Sequence, residues 1–213
     1  KVDDLTNGAE ASPYTLKNLN INTEKSDFGA TYLSQNNGVF FYLGPQKKLP
    51  KKHLRKKFES TSQLYDVYKA DLRLDSFLVE NSRELDLNLN SVFQDGPLAI
   101  NPKTNTLYLT RSSLKIDSKK KMQLDLYNVK LNEIESQLPK YSSINLKGFS
   151  TLHPSVAEDG KRLYFASDRP GGFGGMDLYY VPMENDVFLG GPVNLGPDIN
   201  TSANEVFPFS HSN

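Results

Sequence analysis

Asp168 and Asp177 bracket a glycine-rich run, Arg169-Pro170-Gly171-Gly172-Phe173-Gly174-Gly175-Met176, and Asp125 takes the matching place one repeat earlier. Two carboxylates beside exposed main-chain carbonyls are a donor set that a hard cation such as calcium uses. The same carboxylates can instead accept N–H bonds from the turn and hold a loop that its glycines would leave mobile. The spacing lacks the alternate-residue pattern of a dedicated calcium loop, so loop-holding is the preferred reading and no metal or other cofactor is expected. Arg169 could grip a carboxylate or phosphate, and the plainer role is pairing within its own sheet or stacking on Tyr or Phe.

A second concentration of chemistry is basic. Lys47, Lys48, Lys51, Lys52, Arg55, Lys56 and Lys57 fall within Gly44 to Ser60, and Lys119-Lys120-Lys121 form a smaller cluster. The first cluster could dock an acidic partner or an anionic envelope polymer, against the simpler reading of a solvated loop. Nucleic acid is not expected, because base stacking needs aromatic interleaving and only Phe58 offers it. His53, His153 and His211 are too scattered for a helix-borne zinc pair. His153 opens an inner strand, where it is read as a structural histidine that could line a central channel. There is no G-x-S-x-G elbow and no P-loop, and the glycine run does not open a helix as dinucleotide binding requires. Glycoside hydrolysis would need two carboxylates about 5–9.5 Å apart in one cleft. Glu158 and Asp159 are the candidates, and both read as turn residues. No catalytic residue is assigned.

The elements that position these groups are strands. His153 to Ala157, a Glu158-Asp159-Gly160-Lys161 turn and Arg162 to Ser167 make a hairpin, since Asp-Gly between β-prone runs supplies the positive φ such turns need. Met176 to Val181 is the next strand. Leu163-Tyr164-Phe165-Ala166 is apolar without alternation, which implies cover on both faces, so this sheet must sit between others. The 213 residues hold 14 glycines and 12 prolines at 37% hydrophobic content, a loop-rich composition that suits many short strands. Lys+Arg and Asp+Glu are both 25, so any anion binding has to be local. There is no cysteine, which excludes disulfides and thiolate chemistry. No apolar run approaches the length of about 20 residues that a membrane-spanning helix needs.

The pattern repeats. Leu-Tyr-x-Val occurs at Leu64, Leu126 and Leu178, each after an aromatic-rich strand centred on Phe41, Tyr108 or Tyr164. The repeat of about 60 residues is in the range of propeller blades with extra loop. Asn-Leu pairs at Asn18, Asn88, Asn145 and Asn194 mark where an outer strand would cross to the next inner strand. The expected architecture is all-β: a β-propeller segment of four-stranded blades. Residues 1–13 are a polar tail and 14–213 a partial propeller. The blade units run approximately over 26–89, 95–146 and 153–195, and a next blade starts at 204–213. That is about three full blades with partial blades at both ends, and closed propellers usually need four to eight.

His153 to Val181 and Asn194 to Phe209 resemble the WD-like repeats of periplasmic TolB-type propellers. They are most similar to versions in outer-membrane OmpA-family proteins of the Bacteroidetes, some of which serve type IX secretion and gliding. Ser167-Asp168-Arg169 and Gly171 to Tyr179 carry the likeness, which departs in the first unit, where Gln63 stands where Asp177 is expected, and in the missing glycine loops of the first two units. The resemblance implies a non-catalytic scaffold associated with the outer membrane from the periplasm. Its partners would be other envelope proteins, with peptidoglycan contact only through a domain not among these residues. A glycan-binding or glycan-hydrolysing propeller is the alternative.

Overall fold

The computed structural model describes residues 17–33, 38–46, 64–73, 75–76, 78–85, 89–91, 94–116 and 122–211. The polar tail, the lysine and arginine cluster at 47–57, His53, Gln63, Asn88 and Lys119 to Lys121 lie outside them.

Three separate antiparallel sheets form in chain order. The first is β1 (Phe28–Tyr32), β2 (Val39–Pro45), β3 (Tyr65–Arg73) and β4 (Leu78–Glu84). The second is β5 (Asp95–Asn101), β6 (Thr106–Ile116), β7 (Met122–Lys130) and β8 (Lys140–Tyr141). The third is β9 (Thr151–Val156), β10 (Arg162–Ser167) and β11 (Asp177–Glu184), with β12 (Val187–Phe188) and β13 (Val193–Asn194) both on the outer edge of β11. Each sheet is an up-and-down meander, as a propeller blade is.

The sheets stack face to face, and the apolar runs explain why. Phe41, Leu43 and Val67 of the first sheet meet Leu107, Leu109 and Val129 of the second in one buried cluster. Tyr108 and Leu126, on the second sheet's other face, meet Leu163, Phe165, Tyr179 and Val181 of the third. Successive side chains in a strand point to opposite faces, so a strand buried on both sides has no polar position to spare. Phe40, Tyr42, Tyr68 and Ala70 cover the first sheet's far face, where Leu19 and Ile21 pack. Asn20 exchanges two hydrogen bonds there with the main chain of Val79, at 2.8 and 3.0 Å.

The inner strands run side by side. Thr31 Oγ1 of β1 donates to the Leu98 carbonyl of β5 at 3.0 Å, and β9 lies against both β5 and β6, its His153 N–H donating to Thr110 Oγ1 of β6 at 2.9 Å. Each inner strand slips register near its start, beside a residue of positive φ: Gly29 at 65°, Gly96 at 88° and His153 at 55°. At Gly96 the backbone comes so close to the first sheet that a Cβ would sit 2.2 Å from Leu43 Cδ2.

Strand pairing corrects two details of the repeat. Asp66-Val67-Tyr68, facing Gly44-Leu43-Tyr42, is the counterpart of Asp125-Leu126-Tyr127 and Asp177-Leu178-Tyr179. The Leu64-Tyr65-x-Val67 match is therefore three residues out of register, and the first unit has an aspartate where Asp177 is expected. The sheet is buried on both faces, so an apolar pattern alone does not fix which residue pairs with which. The asparagines also sort differently. Asn90, Asn145 and Asn200 each accept from the N–H and donate to the carbonyl of the residue after that aspartate, namely Val67, Leu126 and Leu178. Asn194 lies inside the outer strand β13 and is not one of these pins, whereas Asn145, another of the expected junctions, is.

Candidate functional site

The four inner segments converge on a groove of about 510 Å³, lined by residues 29–32, 97–100, 153–156 and 207–210. The last segment continues past the third sheet, and its Ser210 N–H donates to Ser155 Oγ at 3.2 Å. His153 lines this groove, with its ring stacked on Phe207 at 3.7 Å between centroids and 13° between planes. Burial pushes the His153 imidazole down to about 4, so it is neutral at physiological pH. Tyr32, Phe207 and Phe209 add exposed aromatic surface. Glu158 and Asp159 are in the β9–β10 turn and outside the groove. Asp159 Oδ1 accepts from the Lys161 N–H at 2.9 Å.

The glycine loop is tied from within. Asp177 is buried and accepts from the N–H groups of Phe173 and Gly174, at 2.6 and 2.9 Å, and from Asn194 Nδ2 at 2.8 Å. Asp168 accepts from the Ser150 N–H at 2.6 Å. The Arg169 guanidinium lies 4.9 Å from the Phe165 ring centre and 5.1 Å from that of Tyr179, and donates to the Ile144 carbonyl at 3.0 Å. It thus stitches the third sheet to the end of the second. Asp125 accepts from Gln123 Nε2 at 2.9 Å and Tyr141 hydroxyl at 3.3 Å. Asp168 and Asp177 each hold a different main-chain segment. Among the described residues, no group of three or more His, Asp or Glu side chains is placed to hold a metal ion.

Sequence reasoning passed over two carboxylates. Asp186, in the β11–β12 turn, reaches back to the second sheet. It accepts from Asn101 Nδ2 (2.8 Å), Thr104 Oγ1 (2.9 Å), Thr106 Oγ1 (2.5 Å), the Tyr108 hydroxyl (3.0 Å) and Lys130 Nζ (2.8 Å). Burial works against its charge, but the bonds from Lys130, Thr106, Thr104 and Tyr108 outweigh that and hold the carboxyl below the usual range. Asn185-Asp186 is a two-residue turn with both φ positive, and a turn signal was the only one visible in the sequence.

The other is Asp66, at the root of the basic stretch. Gln46 Nε2 donates to its Oδ1 at 3.1 Å, and Glu84 shares a side-chain hydrogen bond with it. Burial first, then the Asp95 charge and Glu84, push the Asp66 carboxyl up to about 8. Asp95 itself is buried against Arg111 Nε at 2.6 Å.

Stacked four-stranded meanders around a shared groove define a β-propeller, and these sheets are three of its blades. No protein-family profile matches the chain, and no curated protein does. Solved structures do. A putative TolB from Agrobacterium tumefaciens aligns at TM-score 0.48 with 13% identity, over 84% of this chain and 53% of its own. TolB from Acinetobacter baumannii aligns at 0.41 with 16% identity, over 76% and 31%. An alpha-L-arabinofuranosidase from Lactobacillus brevis aligns at 0.50 with 14% identity, over 78% and 52%. The chain therefore spans about half or less of the structures it matches, and at such identities the likeness is one of fold.

Proposed function

We propose that the chain is a non-catalytic propeller scaffold that binds other proteins of the cell envelope, from the periplasm and in association with the outer membrane. The observation that carries this reading is how the basic stretch is mounted. It leaves the first blade at Gln46 and returns at Leu64, and the Gln46 N–H donates to the Leu64 carbonyl at 2.8 Å. A stem closed in this way, at the end of a sheet buried on both faces, lets lysine-rich sequence be inserted without deforming the blade. The motif resemblance at Ser167 to Tyr179 supports the envelope setting, and type IX secretion or gliding assemblies are the finer form of the proposal. No helix among the described residues is long and apolar enough to cross a membrane.

Deleting residues 47–57 should reduce capture of envelope proteins in cross-linking pull-downs while the far-UV spectrum and melting curve stay the same. Undiminished capture would remove the loop from the proposal.

One observation favours glycan binding as a second reading. The groove offers His153, Phe207, Phe209 and Tyr32 as ring surfaces, and sugars stack on such faces. Calorimetric titration with arabino-oligosaccharides, repeated on Phe207→Ala, separates this from the first reading. Binding that needs Phe207 would favour it, and no heat at millimolar sugar would dismiss it for that sugar class.

A further inference from the structure

The third-strand aspartate meets a different residue of the fourth strand in each blade. In the third blade Asn194, opposite Tyr179, donates its amide to Asp177 two residues back. In the second, Tyr141, opposite Tyr127, donates its hydroxyl to Asp125. Strand pairing puts Glu84 in the same place in the first blade, since Tyr68 pairs with Glu84 as Tyr179 pairs with Asn194 and Tyr127 with Tyr141. Glu84 is an acid where the other blades offer a donor, so here the proton comes from Asp66, whose carboxyl is pushed up and can donate to Glu84 only while it is protonated. We propose that Asp66 and Glu84 form a proton-dependent lock that fastens the fourth strand of the first blade, at the end where the chain leaves at Gln46 and returns at Leu64, and that weakens as Asp66 loses its proton.

The surroundings fit a shared proton. Asp66 is 2% exposed. Of the charged groups around it, Asp95 from β5 adds negative charge and is already matched by Arg111 from β6. Asp27, just before β1, adds its negative charge to the surroundings of Tyr68. Gln46, at the end of β2, gives its amide N–H to Asp66 and to the Ser91 carbonyl and leaves its own buried Oε1 without a partner. No described cation reaches Asp66 directly, so a second ionised carboxylate would be repelled there.

The sign follows from the raised Asp66. The folded blade holds a proton that the unfolded chain releases near pH 4, so stability falls as pH rises from about 4 to about 8 and is level beyond. The lock is closed on the acidic side and loosened on the alkaline side. It does not depend on what the loop binds.

The test is urea unfolding of the full chain at about pH 5 and about pH 8. In Glu84→Gln an amide replaces the second acid, as Asn194 does in the third blade. Its midpoint should exceed wild type at the higher pH and be equal or lower at the lower pH, so that its own change with pH is smaller than that of wild type, the part set by burial and Asp95 remaining. Asp66→Asn should flatten the dependence in the same way and stands in if the first variant fails to fold. Identical pH dependence in wild type and both variants overturns the lock. So does a wild-type midpoint at the higher pH that millimolar calcium raises and Glu84→Gln abolishes, because the pair would then share a cation instead.

Discussion

Asp186 and Ile134 both sit in the connection that follows their blade's third strand, and both reach back to close a seam with the blade before. Asp186 plugs the seam between the second and third blades with hydrogen bonds to Asn101, Thr104, Thr106, Tyr108 and Lys130. Ile134 plugs the seam between the first and second with hydrocarbon, packed in the cluster of Leu33, Phe41 and Leu107, with Val39 and Leu131 against it. The sockets match their plugs. Tyr108 offers a hydroxyl where the first blade offers Phe41, and Thr106 offers one where it offers Val39, because Phe41-Lys69 and Tyr108-Asn128 are equivalent pairs. One backbone plan therefore takes either chemistry, provided that plug and socket agree.

The backbone of the two plugs also differs. Asp186 is at φ 67°, in the left-handed region that aspartate and asparagine tolerate, while Ile134 is at φ −60° after the short 3-10 turn Leu131–Glu133. A β-branched side chain at Asp186 would add strain to a lost network, so the two plugs are not interchangeable.

Four changes would break or sharpen this comparison. The largest effect should come from Phe165→Ala, which empties the seam between the second and third blades and removes the ring stacked on Tyr179 at 5.9 Å. A loss of about 3–5 kcal/mol in denaturant unfolding is expected, and one under about 0.5 would mean that the layering is wrong. Ile134→Ala should cost about 2–4 kcal/mol with no change in how stability depends on pH, since the apolar plug carries no charge.

Asp186→Asn should cost about 1–3 kcal/mol near neutral pH, because it keeps the turn conformation but loses the charge-assisted bonds. It should also change the acid limb. A carboxyl held below its unfolded value stabilises above about pH 4 and loses that contribution as pH falls through its folded value, so wild type should weaken in acid more steeply than the variant. Parallel acid limbs would show that the network adds nothing beyond packing. The smallest effect belongs to Phe209→Ser, at a side chain 85% exposed and part of neither seam: under about 0.5 kcal/mol by the same measurement.

Much of the fold was legible because burial on both faces leaves a mark in composition. Leu163 to Ala166, Leu107 to Leu109 and Phe40 to Leu43 carry no polar alternation, and each became a central strand of its sheet, but only the second sheet lies between two others. The third, expected to be covered on both sides, packs against another sheet through one face alone among the described residues. Asp159-Gly160 was legible for another reason. Gly160 does adopt φ 71°, and a Cβ there would meet Asn101 Oδ1 at 2.8 Å. Asp177 and Arg169 could be narrowed to two roles each, while the partners they meet, Asn194 and the Ile144 carbonyl, were not legible because they are distant in sequence.

The sequence by itself determined that the chain is built of repeated, apolar-faced β-meanders, since local periodicity and turn chemistry depend only on neighbouring residues. Tertiary structure alone decided the register of the first blade, the reach of Asp186 across a seam and the meeting of Asp66 with Glu84. Those depend on which atoms are brought together from remote parts of the chain. A buried carboxylate reads the same in sequence whether it will face an amide, a lysine or another acid, and only the fold supplies the partner that sets its charge.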